Sequence, residues 1–247
     1  MNWHFPNRSV LVVGIGGGSD IIAAYGISTL VTGAVKVAYG NTKPRGSARP
    51  SLPHGNLSLV RTVTDWAPDP REIDKHGTAN IDHTVPRGAD GCPFLFILED
   101  GEHDALADEI GRMGYDLIVA VDIGGDSLND DPSDAKEDRR DQEMLAVLEQ
   151  TGIELVRLVM APGIDGESRT GALDAPMRDR VSNSFSLEPL IPVLAKYGAA
   201  LKPDRTPNLI CRAAAGELEE VEPGLIRVPR DKRPLVPLEW LLHGYVM

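Results

Sequence analysis

The sequence predicts a single α/β domain built on a doubly wound, mostly parallel sheet with helices on both faces. Three observations carry that expectation. Short apolar, β-branched runs suited to buried strands recur at Val10 to Val13, Val35 to Tyr39, Leu57 to Val63, Phe94 to Leu98, Leu117 to Val121 and Leu155 to Met160. Segments with helical spacing of apolar residues lie between several of them. Two of the strands end in dense glycine turns, and strand followed by helix, repeated, is the pattern of a doubly wound sheet. At 247 residues and 42% hydrophobic, the chain is long enough to bury one substantial core.

The elements follow in order. After the first strand, Ile21 to Val31 reads as a helix whose leading acid, Asp20, stands where a helix N-terminus favours negative charge. Ala105 to Met113 places Leu106, Ile110 and Met113 on one helical face. Ser133 to Thr151 is a longer helical pattern, with Ser133 as its N-cap, Met144, Leu145 and Leu148 inward and Gly152 as its stop. Two regions break the rhythm, at about 41–56 and 64–93, and their Pro, Gly, Asp and His content predicts long loops over a site. Beyond Ala199, a helix is expected near Leu209 to Ala215, with strand-like pieces at Leu225 to Val228 and Leu235 to Leu238. The ending, Trp240 to Met247, is too apolar for a free tail and should pack on the core or on a second subunit of a homo-oligomer.

Composition narrows the function classes. A net charge of -12 argues against nucleic acid as a partner, since that affinity comes from clustered Lys and Arg. No apolar run approaches the ~20 residues that span a bilayer, so no membrane partner is expected. Cys92 and Cys211 form no disulfide or zinc pattern, which fits a reducing cytoplasm. The start shows no signal-peptide pattern. Neither Gly-x-Ser-x-Gly nor His-Glu-x-x-His occurs.

The first glycine turn, Gly14-Ile-Gly16-Gly17-Gly18-Ser19-Asp20, begins like the dinucleotide fingerprint and sets Ser19 at its third glycine position. The acid that would hold a ribose about 20 residues on is missing. Asn41, Thr42 and Lys43 stand there instead, and Lys43 with Arg45 would favour a 2′-phosphate. Without that analogy, free N–H groups at a helix N-terminus form a general anion site. The second turn, Asp122-Ile-Gly124-Gly125-Asp126-Ser127, ends an otherwise apolar strand on a carboxylate, which is costly to bury unless paired, metal-bound or used. The bland reading is that Asp122 only braces its loop through backbone N–H groups. If the following helix starts near Ser133, Arg140 and Asp141 lie about two turns in, where they either look back at the glycine turn or form a solvated face.

Weaker candidates are Asp165 and Glu167 in the loop after the strand at Leu155, and a metal cluster of Asp74, His76, Asp82 and His83. The acidic run from Asp126 to Asp138 fails the EF-hand template, though a magnesium ion shared with a substrate phosphate needs only one or two carboxylates.

Gly14 to Asp20, Lys36 to Arg45, Asp122 to Leu128 and Arg140 to Leu145 together resemble an uncharacterised archaeal and bacterial group, domain-of-unknown-function family eleven-fifty-two. The resemblance runs over most of the chain, and its most specific element is the pair Gly-Gly-Gly-Ser-Asp and Asp-Ile-Gly-Gly-Asp-Ser. It implies a Rossmann-like α/β domain and carries no reaction.

The expectation is therefore a cytoplasmic small-molecule enzyme. Its glycine turns, with Gly14, Gly16, Gly17, Gly18, Ser19, Asn41, Thr42, Lys43, Gly124, Gly125, Ser127 and Arg140, would hold a phosphate- or carboxylate-bearing metabolite or nucleotide. Asp20, Asp122, Asp126 and Asp141 would perform acid-base hydrolysis, elimination or group transfer. The alternatives are an NAD(P)-dependent oxidoreductase and a non-catalytic nucleotide or metabolite sensor. Nucleotide, NAD(P) and Mg are the cofactors to weigh.

Overall fold

A computed structural model describes residues 3–43, 57–59, 93–98, 101–128, 139–164, 173–227 and 235–247. Its first half alternates strand and helix: β1 (Ser9–Gly14), α1 (Asp20–Leu30), β2 (Lys36–Lys43), β3 (Leu57–Leu59), β4 (Phe94–Ile97), α2 (His103–Gly111), β5 (Leu117–Ile123), α3 (Arg140–Gln150) and β6 (Glu154–Met160). The second half adds α4 (Asp174–Arg180), β7 (Asn183–Ser186), α5 (Ile191–Gly198), α6 (Thr206–Ala214), β8 (Glu220–Glu222), β9 (Leu225–Arg227), β10 (Leu235–Pro237), α7 (Leu238–Leu242) and β11 (His243–Val246).

Eight strands form one sheet in the order β3-β4-β2-β1-β5-β6-β11-β7, and β10-β9-β8 form a separate small sheet. β4, β2, β1, β5 and β6 run parallel, while β3 and β11 are antiparallel to their neighbours. β1 and β5 lie side by side, with Gly14 opposite Val121. From β1 the chain winds outward to β2, and from β5 it winds the other way to β6. The two therefore diverge at a topological switch point, where open α/β sheets bind ligands beyond the carboxyl ends of the strands.

Strand alternation divides the core. Val10 and Val12 of β1 and Val119 and Val121 of β5 pack with Ile22 and Ile27 of α1, Leu194 of α5 and Ile210 of α6. Leu11, Val13, Ile118 and Ala120 face the other way, onto Leu106 and Ile110 of α2 and Met144 and Leu148 of α3. Both faces of the central strands are dry, so an apolar side chain is demanded at every position and each large one contributes about 1.5–3 kcal/mol. No helix among the described residues is long and apolar enough to cross a membrane.

Several expectations change in detail. β2 continues through Asn41, Thr42 and Lys43, so the excursion expected from residue 41 begins no earlier than 44. The apolar ending supplies α7 and β11, which inserts between β6 and β7 rather than merely covering the core. Helix α3 starts at Arg140, because Arg139 already has non-helical dihedrals. Ser133 lies outside the described residues, as do Arg45, Asp74, His76, Asp82, His83, Cys92, Asp165 and Glu167.

Candidate functional site

Three elements deliver a carboxylate to the switch point. Asp20 is the first residue of α1, Asp122 is next to last in β5, and Asp141 is second in α3. Arg140 and Asp141 reach the glycine turn because they occupy the first turn of α3, rather than a position two turns in. An acid there is favoured by the helix N-terminus. All three carboxylates are buried. Each offers an oxygen, and these oxygens all lie within 4.8 Å of one another.

The first glycine turn is fitted around these acids. Gly16 donates its N–H to Oδ2 of Asp20 at 2.6 Å. A Cβ on Gly16 would stand 2.5 and 2.9 Å from the two oxygens of Asp141, and 2.8 Å from Oδ2 of Asp20. A Cβ on Gly14 would meet Oδ1 of Asn41 at 2.6 Å and Cβ of Asp20 at 2.8 Å. Gly17 needs its glycine twice over, for a φ of +78° and for Nη1 of Arg140, 2.6 Å from where its Cβ would be. The same Nη1 donates to the Gly16 carbonyl at 2.7 Å, so α3 clamps the turn that starts α1. Thr42 ties in β2 by donating its hydroxyl to the Gly14 carbonyl at 2.9 Å. Gly18 has a φ of +51°, and Ser19 precedes α1 without a side-chain cap bond. Asn41, Thr42 and Lys43 are buried at the end of β2.

The second turn folds back on Asp122. Gly125 donates its N–H to Oδ1 at 2.9 Å, Ser127 donates its N–H to Oδ2 at 3.0 Å, and the Ser127 hydroxyl also donates to Oδ2. Gly125 has a φ of +91° and its α-carbon faces Pro162. Gly124 donates its N–H to the Met160 carbonyl, which joins this turn to the end of β6. Asp126 opens a one-turn 3-10 helix, Asp126–Leu128; its side chain lies outside what the structure describes.

Arg157 completes the arrangement and was not among the residues expected here. It pairs in register with Ala120 and donates Nη2 to the Ser127 carbonyl and, at 3.0 Å, to the Ser127 hydroxyl oxygen. Its signal in the sequence is a lone charge inside the apolar run Leu155 to Met160.

Burial raises the proton affinity of two of the acids. Burial drives the proton affinity of Asp20 well above the ordinary carboxylate value of 3.8; the charges of Asp141 and Asp122 add to this, and the Gly16 N–H and Arg140 oppose it. Burial also raises Asp122, where the Ser127 hydroxyl, the N–H groups of Gly125 and Ser127, and Arg157 pull back. Like charges this close do not all ionise without compensation. Carboxylate oxygens are also the donor type of a Mg2+ site. The three donors to Asp122 leave one lone pair on its Oδ1, so either a proton or a cation can supply the balancing charge of the cluster.

Comparison with protein-family models, with curated proteins and with solved structures returned no match.

Proposed function

We propose that the chain is an enzyme acting on a small phosphate- or carboxylate-bearing metabolite in the switch-point crevice. Asp20, Asp122 and Asp141 supply acid-base chemistry for hydrolysis, elimination or group transfer. The observation that carries this reading is the convergence of three buried carboxylates, from α1, β5 and α3, within 4.8 Å. Burying each charge costs several kcal/mol unless it is compensated, and structural packing alone is served better by apolar side chains. Buried carboxyls whose proton affinity is raised by their surroundings are groups that general acid-base catalysis uses.

The metabolite's anion has its counter-charge at the same rim. Arg140 lies along Gly16 and Gly17, and Lys43 is buried at the end of β2. A protonated Asp20 is neutral and donates to an anion instead of repelling it. The two cysteines without a framework make a cytoplasmic setting part of this reading.

A nicotinamide dinucleotide is the weaker reading. Its pyrophosphate would take the N–H groups of the first glycine turn, but the Gly16 N–H is committed to Asp20 and Asp141 presses on the Gly16 α-carbon. A thermal-shift screen of sugar phosphates, nucleotides, amino acids and carboxylic acids, with and without Mg2+, tests the proposal. The expected hit raises Tm and is converted on incubation with the wild type, and is bound but unconverted by Asp20→Asn. Recovery of every bound compound unchanged would identify a sensor instead. Undiminished turnover by Asp20→Asn overturns the acid-base reading.

A further inference from the structure

We propose that Ser127 and Arg157 are positioning residues that hold Asp122 as the ionised base of the site and leave the site's proton with Asp20. This rests on the acid-base reading above and divides the roles within it.

The argument is one of hydrogen-bond direction. A guanidinium carries donors only. The contact from Nη2 of Arg157 to the Ser127 hydroxyl oxygen therefore makes that oxygen an acceptor, and the hydroxyl proton has to point elsewhere. It points to Oδ2 of Asp122. The second bond from Arg157, to the Ser127 carbonyl, fixes the residue that carries the hydroxyl. The chain thus runs one way, from Arg157 through Ser127 to Asp122.

Asp122 then receives three donors. Oδ2 takes the Ser127 hydroxyl and N–H, and Oδ1 takes the Gly125 N–H. A carboxyl proton on Oδ2 would meet two donors head-on, so Asp122 is stable as a carboxylate with one in-plane lone pair left, on Oδ1. The Asp20 carboxyl accepts a single backbone N–H, on Oδ2, and faces the oxygens of Asp141. Among the described residues, Asp20 from α1 and Asp141 from α3 converge on Asp122, and Arg157 from β6 acts on it as a cation. Arg157 reaches Asp122 through the Ser127 hydroxyl, and its charge pulls against the effect of burial there.

The test needs no substrate. Carbon-13 NMR of aspartate carboxyl carbons, followed against pH and assigned with Asp20→Asn and Asp122→Asn, reads both acids in the wild type, Ser127→Ala, Ser127→Thr and Arg157→Gln. In the wild type Asp122 should titrate below Asp20. In Ser127→Ala and Arg157→Gln the Asp122 transition should move up by about one pH unit, a roughly tenfold gain in proton affinity of the size one charge-assisted hydrogen bond gives. Ser127→Thr, which keeps the hydroxyl, should restore the wild-type position. An unmoved Asp122 transition in folded Ser127→Ala overturns the inference, and that variant removes only one oxygen should Arg157→Gln fail to fold. If Asp20 titrates in the ordinary carboxylate range in the wild type, the acid-base reading itself fails, whatever Ser127 does.

Discussion

Replacing Gly16 by Ala is the most direct perturbation of the site, because its cost falls almost wholly on the acids. The added Cβ would stand 2.5, 2.8 and 2.9 Å from three carboxylate oxygens. Gly16 is not among the glycines with positive φ, so alanine meets no backbone strain there. Asp141 and Asp20 must both rotate, at about 0.5–1.5 kcal/mol for each side chain pushed off its rotamer. The Gly16 N–H bond to Asp20 weakens as well. Set against these is the ~0.4–1 kcal/mol that alanine contributes by restricting the unfolded chain. The net loss is about 1–3 kcal/mol, in the range of overpacked cores. For a chain of this size Tm should fall by roughly 2–12 °C in differential scanning fluorimetry. Gly111→Ala is the control. Its nearest neighbour to an added Cβ is the Thr151 carbonyl at 3.9 Å, again without a positive φ, and it should leave Tm unchanged or raise it. Combining Gly16→Ala with Asp141→Ala should recover at least about 0.5 kcal/mol of the loss. A Gly16→Ala protein as stable as the wild type, or a loss that Asp141→Ala does not reduce, would refute the packing of acids against this turn.

Two further outcomes follow from the same geometry. The raised proton affinity of Asp20 means that the folded state keeps a proton the unfolded chain releases. That stability is fully present below the unfolded value near 3.8 and is lost as pH rises through the folded one. Relative to Asp20→Asn, chemical denaturation should show the wild type losing up to about 1.4 kcal/mol per pH unit across that window, and parallel pH profiles would count against a buried, protonated Asp20. Thr42→Val, which deletes the hydroxyl bonded to the Gly14 carbonyl, should cost about 1 kcal/mol in urea unfolding, whereas Thr42→Ser should cost less. Equal losses in the two would place the effect in packing instead.

The parts of this molecule legible in the sequence are those governed by short-range rules. Val10 to Val13 and Leu117 to Val121 read as buried strands because the neighbours on both faces demand apolar side chains, and Asp20 read as a helix-leading acid because its partners lie within one turn. The end of β2 was less legible. Asn41, Thr42 and Lys43 look like loop residues, yet they extend the strand because β4 pairs with Gly40 to Lys43 and Thr42 has a carbonyl to satisfy across on β1. The start of α3 was misplaced because a polar, helix-compatible run precedes Arg140 and only long-range contact with the Gly16 carbonyl identifies which residue faces the site. Arg157 was missed for a related reason. The local pattern marks it only as a lone charge in an apolar run, and its partner Ser127 lies 30 positions away.

The glycines of the first turn gain a different meaning from this geometry. As sequence they suggest a bare backbone cradle for a phosphate. In the folded chain Gly14 gives way to Asn41 and Asp20, Gly16 to Asp20 and Asp141, and Gly17 to Arg140. Each absent side chain is therefore matched by an internal neighbour, and the turn packs its backbone against buried carboxylates. On the proposed function, a ligand reaching these acids would meet groups that can give or take a proton. Under the proposed function such a site would favour chemistry on the ligand over simple capture of its anion, because burying three acids is costly and a phosphate cradle has no use for them.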